Sequence, residues 1–173
     1  MKSIRNIALS AILTVGAFGT VLYTSCNKDA CKNVVCQNGG TCVNGTCSCT
    51  TGYEGTNCET KSTTKFIGSW GVTETCGSAP STPYTVTITQ DPSAANKVIV
   101  SNLGNYGCTV GGQIQWNGSV NAAQLTINDS KCTYQMNATG NYNNGVITFT
   151  YTATYPGTGG GTETDNCTAT LAK

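Results

Sequence analysis

The residues that could do chemistry in this chain are mainly sulfur and phenol. Eleven cysteines and eight tyrosines stand beside eight carboxylates, and histidine is absent. Without His, the commonest general base and the commonest metal ligand are missing. No Ser lies in a Gly-x-Ser-x-Gly setting, and no two acids have a suggestive spacing. Glu163 and Asp165 flank the glycine-rich run 157–161, but no Gly-Lys-Thr and no helical pattern follows it, so it forms no phosphate cradle. Glu74 is the one acid that shares a two-residue parity with Trp70 and Val72. Burying an unpaired carboxylate is costly, so the expectation is that Gly71 or a bulge turns Glu74 to solvent. Glu74, were it to point inward, and Tyr84, Tyr106 and Tyr155 are the candidate binding residues. Tyrosine packs well in strands while keeping its hydroxyl wet, so the same positions also suit a core or rim. No catalytic residue, cofactor or metal site is assigned, and the chain reads as non-enzymatic.

The cysteines divide into one, six and four. Cys26 follows an apolar N-terminal run. Cys31, Cys36, Cys42, Cys47, Cys49 and Cys58 crowd together, and Cys76, Cys108, Cys132 and Cys167 are spread over the remainder. Residues 1–25 carry Lys2 and Arg5, then an apolar stretch from Ile7 to Val21. The stretch is shorter than the roughly 20 residues that span a bilayer. It therefore reads as a secretory signal peptide rather than an anchor helix. The segment Leu22-Tyr23-Thr24-Ser25-Cys26 resembles a bacterial lipobox, in the looser form of Bacteroidota lipoproteins because Tyr23 replaces the usual Leu or Val. The resemblance implies that Cys26 is acylated, by chains such as palmitate, and becomes the mature N-terminus. That would use the thiol left over by an odd count. Residues 26–30 are then a lipidated tether, and the expected location is the outer membrane, facing the periplasm or the cell surface.

Removal of Lys2 and Arg5 takes the nine basic residues to seven, against eight Asp plus Glu. With no basic run there is no electrostatic footprint for nucleic acid. Dense cysteine implies an oxidising compartment.

Residues 31–58 read C-x4-C-x5-C-x4-C-x-C-x8-C, with Gly39-Gly40-Thr41-Cys42 in the middle and Gly52-Tyr53-x-Gly55-x2-Cys58 at the end. The segment is too short and too polar to bury a core, so it must be cross-linked. Six cysteines allow 15 pairings. The pattern resembles an EGF-like domain, and that resemblance implies Cys31–Cys42, Cys36–Cys47 and Cys49–Cys58. A zinc cluster does not suit an exported chain. Calcium-binding versions of the domain carry Glu or Gln where this chain has Ala30, and too few oxygen ligands remain. The module reads as a spacer between membrane and payload.

Residues 59–65 are short and polar and read as a linker. Beyond them period-two alternation recurs. Strands are expected around Phe66–Val72, Tyr84–Thr89, Lys97–Ser101, Gln113–Trp116, Gln124–Asn128, Lys131–Gly140, Val146–Tyr155 and Thr164–Leu171. Turns are expected at Asp91-Pro92-Ser93, Asn117-Gly118-Ser119, Asn128-Asp129-Ser130 and Asn143-Asn144-Gly145. The fold class is therefore all-β: the disulfide-rich module, then an eight-stranded antiparallel meander over 66–173 whose edges are removed by closure into a barrel. A β-sandwich is the alternative. Gly68-Ser69-Trp70 in the first strand is similar to the Gly-x-Trp of lipocalins, and the region resembles the lipocalin-like domains of Bacteroidota lipoproteins. Counting strands up and down brings the last four cysteines to one end. Neighbouring first and last strands favour Cys76–Cys167, leaving Cys108–Cys132, although proximity of all four leaves other pairings open. The functional expectation is protein interaction or binding at the envelope, as an accessory subunit of a larger complex. The alternative is a carrier for a small apolar or glycan ligand in a barrel cavity.

Overall fold

The structure is a computed structural model that describes residues 30–108 and 110–173; the lipidation assigned to Cys26 lies outside them. Four short strands build the cysteine-rich module: β1 (Thr41–Val43), β2 (Thr46–Ser48), β3 (Tyr53–Glu54) and β4 (Thr60–Lys61). β1 pairs with β2 and β3 with β4, both antiparallel. The disulfides are Cys31–Cys42, Cys36–Cys47 and Cys49–Cys58. Asn44 and Gly45 both take positive φ, at 51° and 85°, which closes the two-residue β1–β2 turn.

The remaining strands are β5 (Gly68–Cys76), β6 (Ala79–Pro80), β7 (Tyr84–Gln90), β8 (Lys97–Ser101), β9 (Gly107–Cys108), β10 (Gly112–Gln113), β11 (Gln115–Asn121), β12 (Gln124–Lys131), β13 (Tyr134–Asn143), β14 (Val146–Pro156) and β15 (Thr162–Ala172). β5, β7, β8 and β11–β15 pair in chain order, and β15 pairs back onto β5. Eight antiparallel strands thus close into an up-and-down barrel, which excludes the sandwich. Closure leaves no long unpaired edge for another chain to extend.

Alternation is the reason these segments are strands. On β14 Ile147, Phe149, Tyr151 and Ala153 are buried, while Thr148 and Thr150 between them are exposed. The lumen is filled from both ends. Trp70, Trp116, Phe149, Met136, Leu125 and Ile147 are all buried within it. At the bottom, the end where the chain enters β5, Phe66 is fully buried, and the Trp70 indole Nε1 donates to its carbonyl at 2.8 Å. At the top, the chain leaving β8 turns inward at Asn102 and Leu103. Leu103 is fully buried and its carbonyl accepts from Trp116 Nε1 at 3.1 Å.

Two expected turns are strand instead. Asn117-Gly118-Ser119 lies inside β11. Gly118 points into the lumen, where an added Cβ would meet the Leu125 side chain at 2.7 Å. Its glycine serves close packing, and the turn falls at Ala122-Ala123 with Ala122 at φ 49°. Asn128-Asp129-Ser130 lies inside β12, where the Asp129 carboxylate accepts from the Asn117 N–H at 2.8 Å. That turn falls at Cys132, at φ 56°. Gly140 repeats the Gly118 logic. It stands opposite Phe149 on β14, and a Cβ there would sit 2.5 Å from the ring. Gly140→Ala is expected to cost about 1–3 kcal/mol through overpacking, read from the denaturant midpoint. A change below about 0.5 kcal/mol would show that the ring is free to move aside.

The segment read as a linker is ordered against both neighbours. Thr60–Lys61 completes the β3–β4 pair, and a 3-10 turn over Ser62–Lys65 buries Ser62 and Thr63. Thr63 Oγ1 donates to Gln90 of the barrel at 2.7 Å, and Lys65 pairs with Glu54 of the module at 2.7 Å. Gly52 sits so close to the barrel turn that a Cβ would meet the Asn96 backbone at 2.9 Å. Hydrophilic composition reflects the hydrogen-bonding of this junction and not its freedom.

Candidate functional site

The top of the barrel gathers the chemistry. β5, β8, β12 and β14 end there, and β7, β11, β13 and β15 begin there, joined by segments 77–83, 102–114, 132–133 and 157–161. Two disulfides brace it. Cys76 and Cys167 are directly opposed across the β5–β15 seam. Cys108–Cys132 ties the small β9–β10 hairpin to the β12–β13 turn.

Inside this end, Glu74 is only 6% exposed. The expected rotation to solvent does not occur, because the carboxylate is not unpaired. Strand β5 keeps its alternation through Gly71, so Glu74 points inward with Trp70 and Val72. Its Oε1 accepts from Tyr84 at 2.8 Å and also from Tyr151 on β14, the strand beyond β15. Ser81, on the returning β5–β6 hairpin, approaches Oε2 at 3.3 Å. The Tyr84 oxygen in turn accepts from the Gly104 N–H at 3.0 Å. Burial is the main reason that both phenols are pushed above their usual range, and the adjacent Glu74 adds to it. Both therefore remain donors and the cluster is satisfied.

A second arrangement of the same kind lies above the first. The Oδ2 of Asp165 accepts from Tyr106 at 2.8 Å and from Tyr155 at 3.1 Å. The rings of Tyr106, Tyr134 and Tyr155 are mutually tilted, with centroids 4.9, 5.3 and 6.1 Å apart, within the range of favourable aromatic pairs. Burial, reinforced by Asp165, raises the Tyr106 phenol. Tyr106 also packs over Gly104, where a Cβ would lie 2.3 Å from its ring. It belongs to the lid of the barrel as much as to its surface.

The structure thus brings all four candidate residues, Glu74, Tyr84, Tyr106 and Tyr155, to one end. It divides them between two carboxylate–phenol clusters. Tyr151, Tyr134 and Asp165 belong to these clusters and are not among the candidates read from the sequence, where Asp165 stands only as a neighbour of the glycine-rich run. Tyr151 was legible as core by alternation, and its hydroxyl partner was not. Among the described residues no group of three or more Cys, Asp or Glu is gathered as metal ligands. What the clusters can do chemically is hold protons on four phenols and lock strands β5, β7, β14 and β15 to the lid.

Outside the clusters, the β9–β10 hairpin carries Val110 at its tip, 91% exposed. A groove of about 350 Å³ beside it is lined by Cys108, Gly111, Gln113, Lys131 and Cys132 among others. No family model, curated protein or solved structure matches the chain. Its class is therefore stated by construction: a six-cysteine module seated on a closed eight-stranded up-and-down barrel.

Proposed function

We propose that this chain is a non-enzymatic, lipid-anchored protein of the bacterial outer membrane that acts by protein contact through the top of its barrel, as an accessory subunit of a larger envelope complex. One observation carries the reading: Val110, 91% exposed, stands on a hairpin that a disulfide pins in place. A rigid frame presenting a loop is where recognition usually sits, and an apolar side chain held in water by such a frame gains most from being covered. The tyrosine rim beside it adds ring area that is favoured at interfaces. The lumen is occupied by Trp70, Trp116 and Phe149, which favours contact over carriage of a ligand. Glu74, buried and accepting two phenols, acts as a structural acceptor and not as an acid or base open to substrate.

Capture of a partner by the native acylated protein from detergent extracts of envelopes tests this. Val110→Asp is expected to leave the fold intact and weaken capture at least about tenfold, or 1.4 kcal/mol. Unchanged capture by both Val110→Asp and Tyr155→Ala sinks the proposal.

A further inference from the structure

Only three large hydrophobic side chains are strongly exposed among the described residues, Val35, Val43 and Val110. The first two belong to the module, at 76% and 55% exposure. They lie together where the chain enters. Val43 pairs with Thr46 across the Asn44-Gly45 turn. A Cβ on Gly45 would be 3.6 Å from the Ala30 side chain, at the start of the described chain. Gly45 and Thr46 share a groove of about 400 Å³ with Val34 and Val35. By contrast, the module meets the barrel and the 59–65 junction through its second half, Gly52 against Asn96 and Glu54 against Lys65.

From these positions we infer that the Val35/Val43 end of the module is a lipid-facing surface, resting in the headgroup layer of the membrane that holds Cys26. The inference rests on the lipid-anchor reading. Ala30 is the fourth residue after Cys26, and four fully extended residue steps reach only about 14 Å. The headgroup region on one side of a bilayer is about 5–8 Å deep. A module tied so closely cannot stand clear of the interface by more than its tether. The surface that it turns to the lipid is the one beside Ala30. Two valines flanked by Asn33, Asn44 and Lys32 give that surface an apolar tip with a polar surround, the composition that partitions into an interface without spanning it. The module then acts as a foot that fixes the barrel's orientation, because the 59–65 junction is ordered.

The test uses the full acylated protein in vesicles of phosphatidylethanolamine and phosphatidylglycerol, with and without lipids brominated on the acyl chain. Tryptophan is placed singly by Val35→Trp, Val43→Trp and Val110→Trp. The native Trp70 and Trp116 are buried in the barrel and supply a constant background. The expected result is loss of the added emission at positions 35 and 43 in brominated vesicles, with a blue shift, and no loss at 110. If intact mass shows the acylated Cys26 but positions 35 and 43 are quenched no more than 110, the lipid-facing surface is wrong while the anchor stands. An unacylated Cys26 with no vesicle association removes both. Shielding of 35 and 43 from aqueous acrylamide without bromolipid quenching assigns the surface to a protein or a second copy instead, and also overturns the inference.

Discussion

Replacing both Cys76 and Cys167 by alanine is expected to lower the stability of the barrel by about 4–5 kcal/mol, from the chain-entropy relation for a loop of this length. The two cysteines are 91 residues apart, so their bond constrains almost the whole barrel in the unfolded chain. They also sit directly opposite each other on β5 and β15, the one seam not made by consecutive strands. Every other strand pair of the barrel forms between chain neighbours, with short closure loops. This pair alone must wait for the ends to meet, and loop-closure entropy is its main cost. The Cys108→Ala/Cys132→Ala pair closes a separation of only 24 and is expected to cost less, about 3–4 kcal/mol. Denaturant midpoints of the two double variants, measured beside the parent, check the order. If the Cys108/Cys132 variant proves the weaker protein, enthalpic bracing of the lid outweighs closure of the seam, and the entropic account is wrong.

That seam also shows how far the sequence could be read. The strands were legible because β-branched and aromatic residues alternate with threonine, as on Val146–Pro156, and closure followed from counting them. Asn143-Asn144-Gly145 was legible as a turn because Asn and Gly tolerate the positive φ that it needs, and Asn144 and Gly145 adopt 47° and 84°. The same dipeptide logic failed at Asn117-Gly118. There the glycine answers to the Leu125 side chain on the neighbouring strand β12, a contact without a dipeptide signature. The ordering of 59–65 was hidden for a similar reason, since Thr63 and Lys65 find partners in both neighbours. Glu74 is the most instructive residue of the site. Its parity pointed inward, and the argument against burial assumed an unpaired carboxylate. The pairing comes from Tyr84, 10 residues away, and Tyr151, 77 residues away, relations that composition and periodicity cannot express. Val110 was illegible because a single valine in a glycine-rich stretch carries no pattern; only the disulfide that holds its hairpin gives it a place.

The paired Glu74 leads to the second large effect. Glu74→Ala is expected to destabilise by about 2–4 kcal/mol, because the Tyr84 and Tyr151 hydroxyls lose their shared acceptor and a buried donor left without one costs about 1–3 kcal/mol. Glu74→Gln keeps an acceptor oxygen for both phenols and is expected to cost less, about 1–2 kcal/mol. Tyr151→Phe removes one hydrogen bond to a charged group, worth about 1.5–3 kcal/mol. The network also sets the alkaline limit of the fold. Tyr151 and Tyr84 are raised, by burial first and by Glu74 second. In the unfolded chain a tyrosine releases its proton near about pH 10. Above that point the unfolded state binds fewer protons than the native state, so stability falls as pH rises. It is fully present below about pH 10 and declines beyond, through the range where the native phenols are still protonated. Tyr151, 4% exposed, should contribute a slope of about 1.4 kcal/mol per pH unit. Tyr84 and Tyr106 should add smaller increments, since solvent screens their half-buried hydroxyls. Unfolding curves collected from about pH 9 to 12, with phenolate absorbance followed in parallel, separate the contributions. In the parent, the phenolate signal of Tyr151 should appear only with unfolding. Tyr151→Phe should flatten the stability slope by about one proton. An unchanged slope in that variant, together with a Glu74→Ala cost below about 1 kcal/mol, would show that the cluster at the top of the barrel is not a lock.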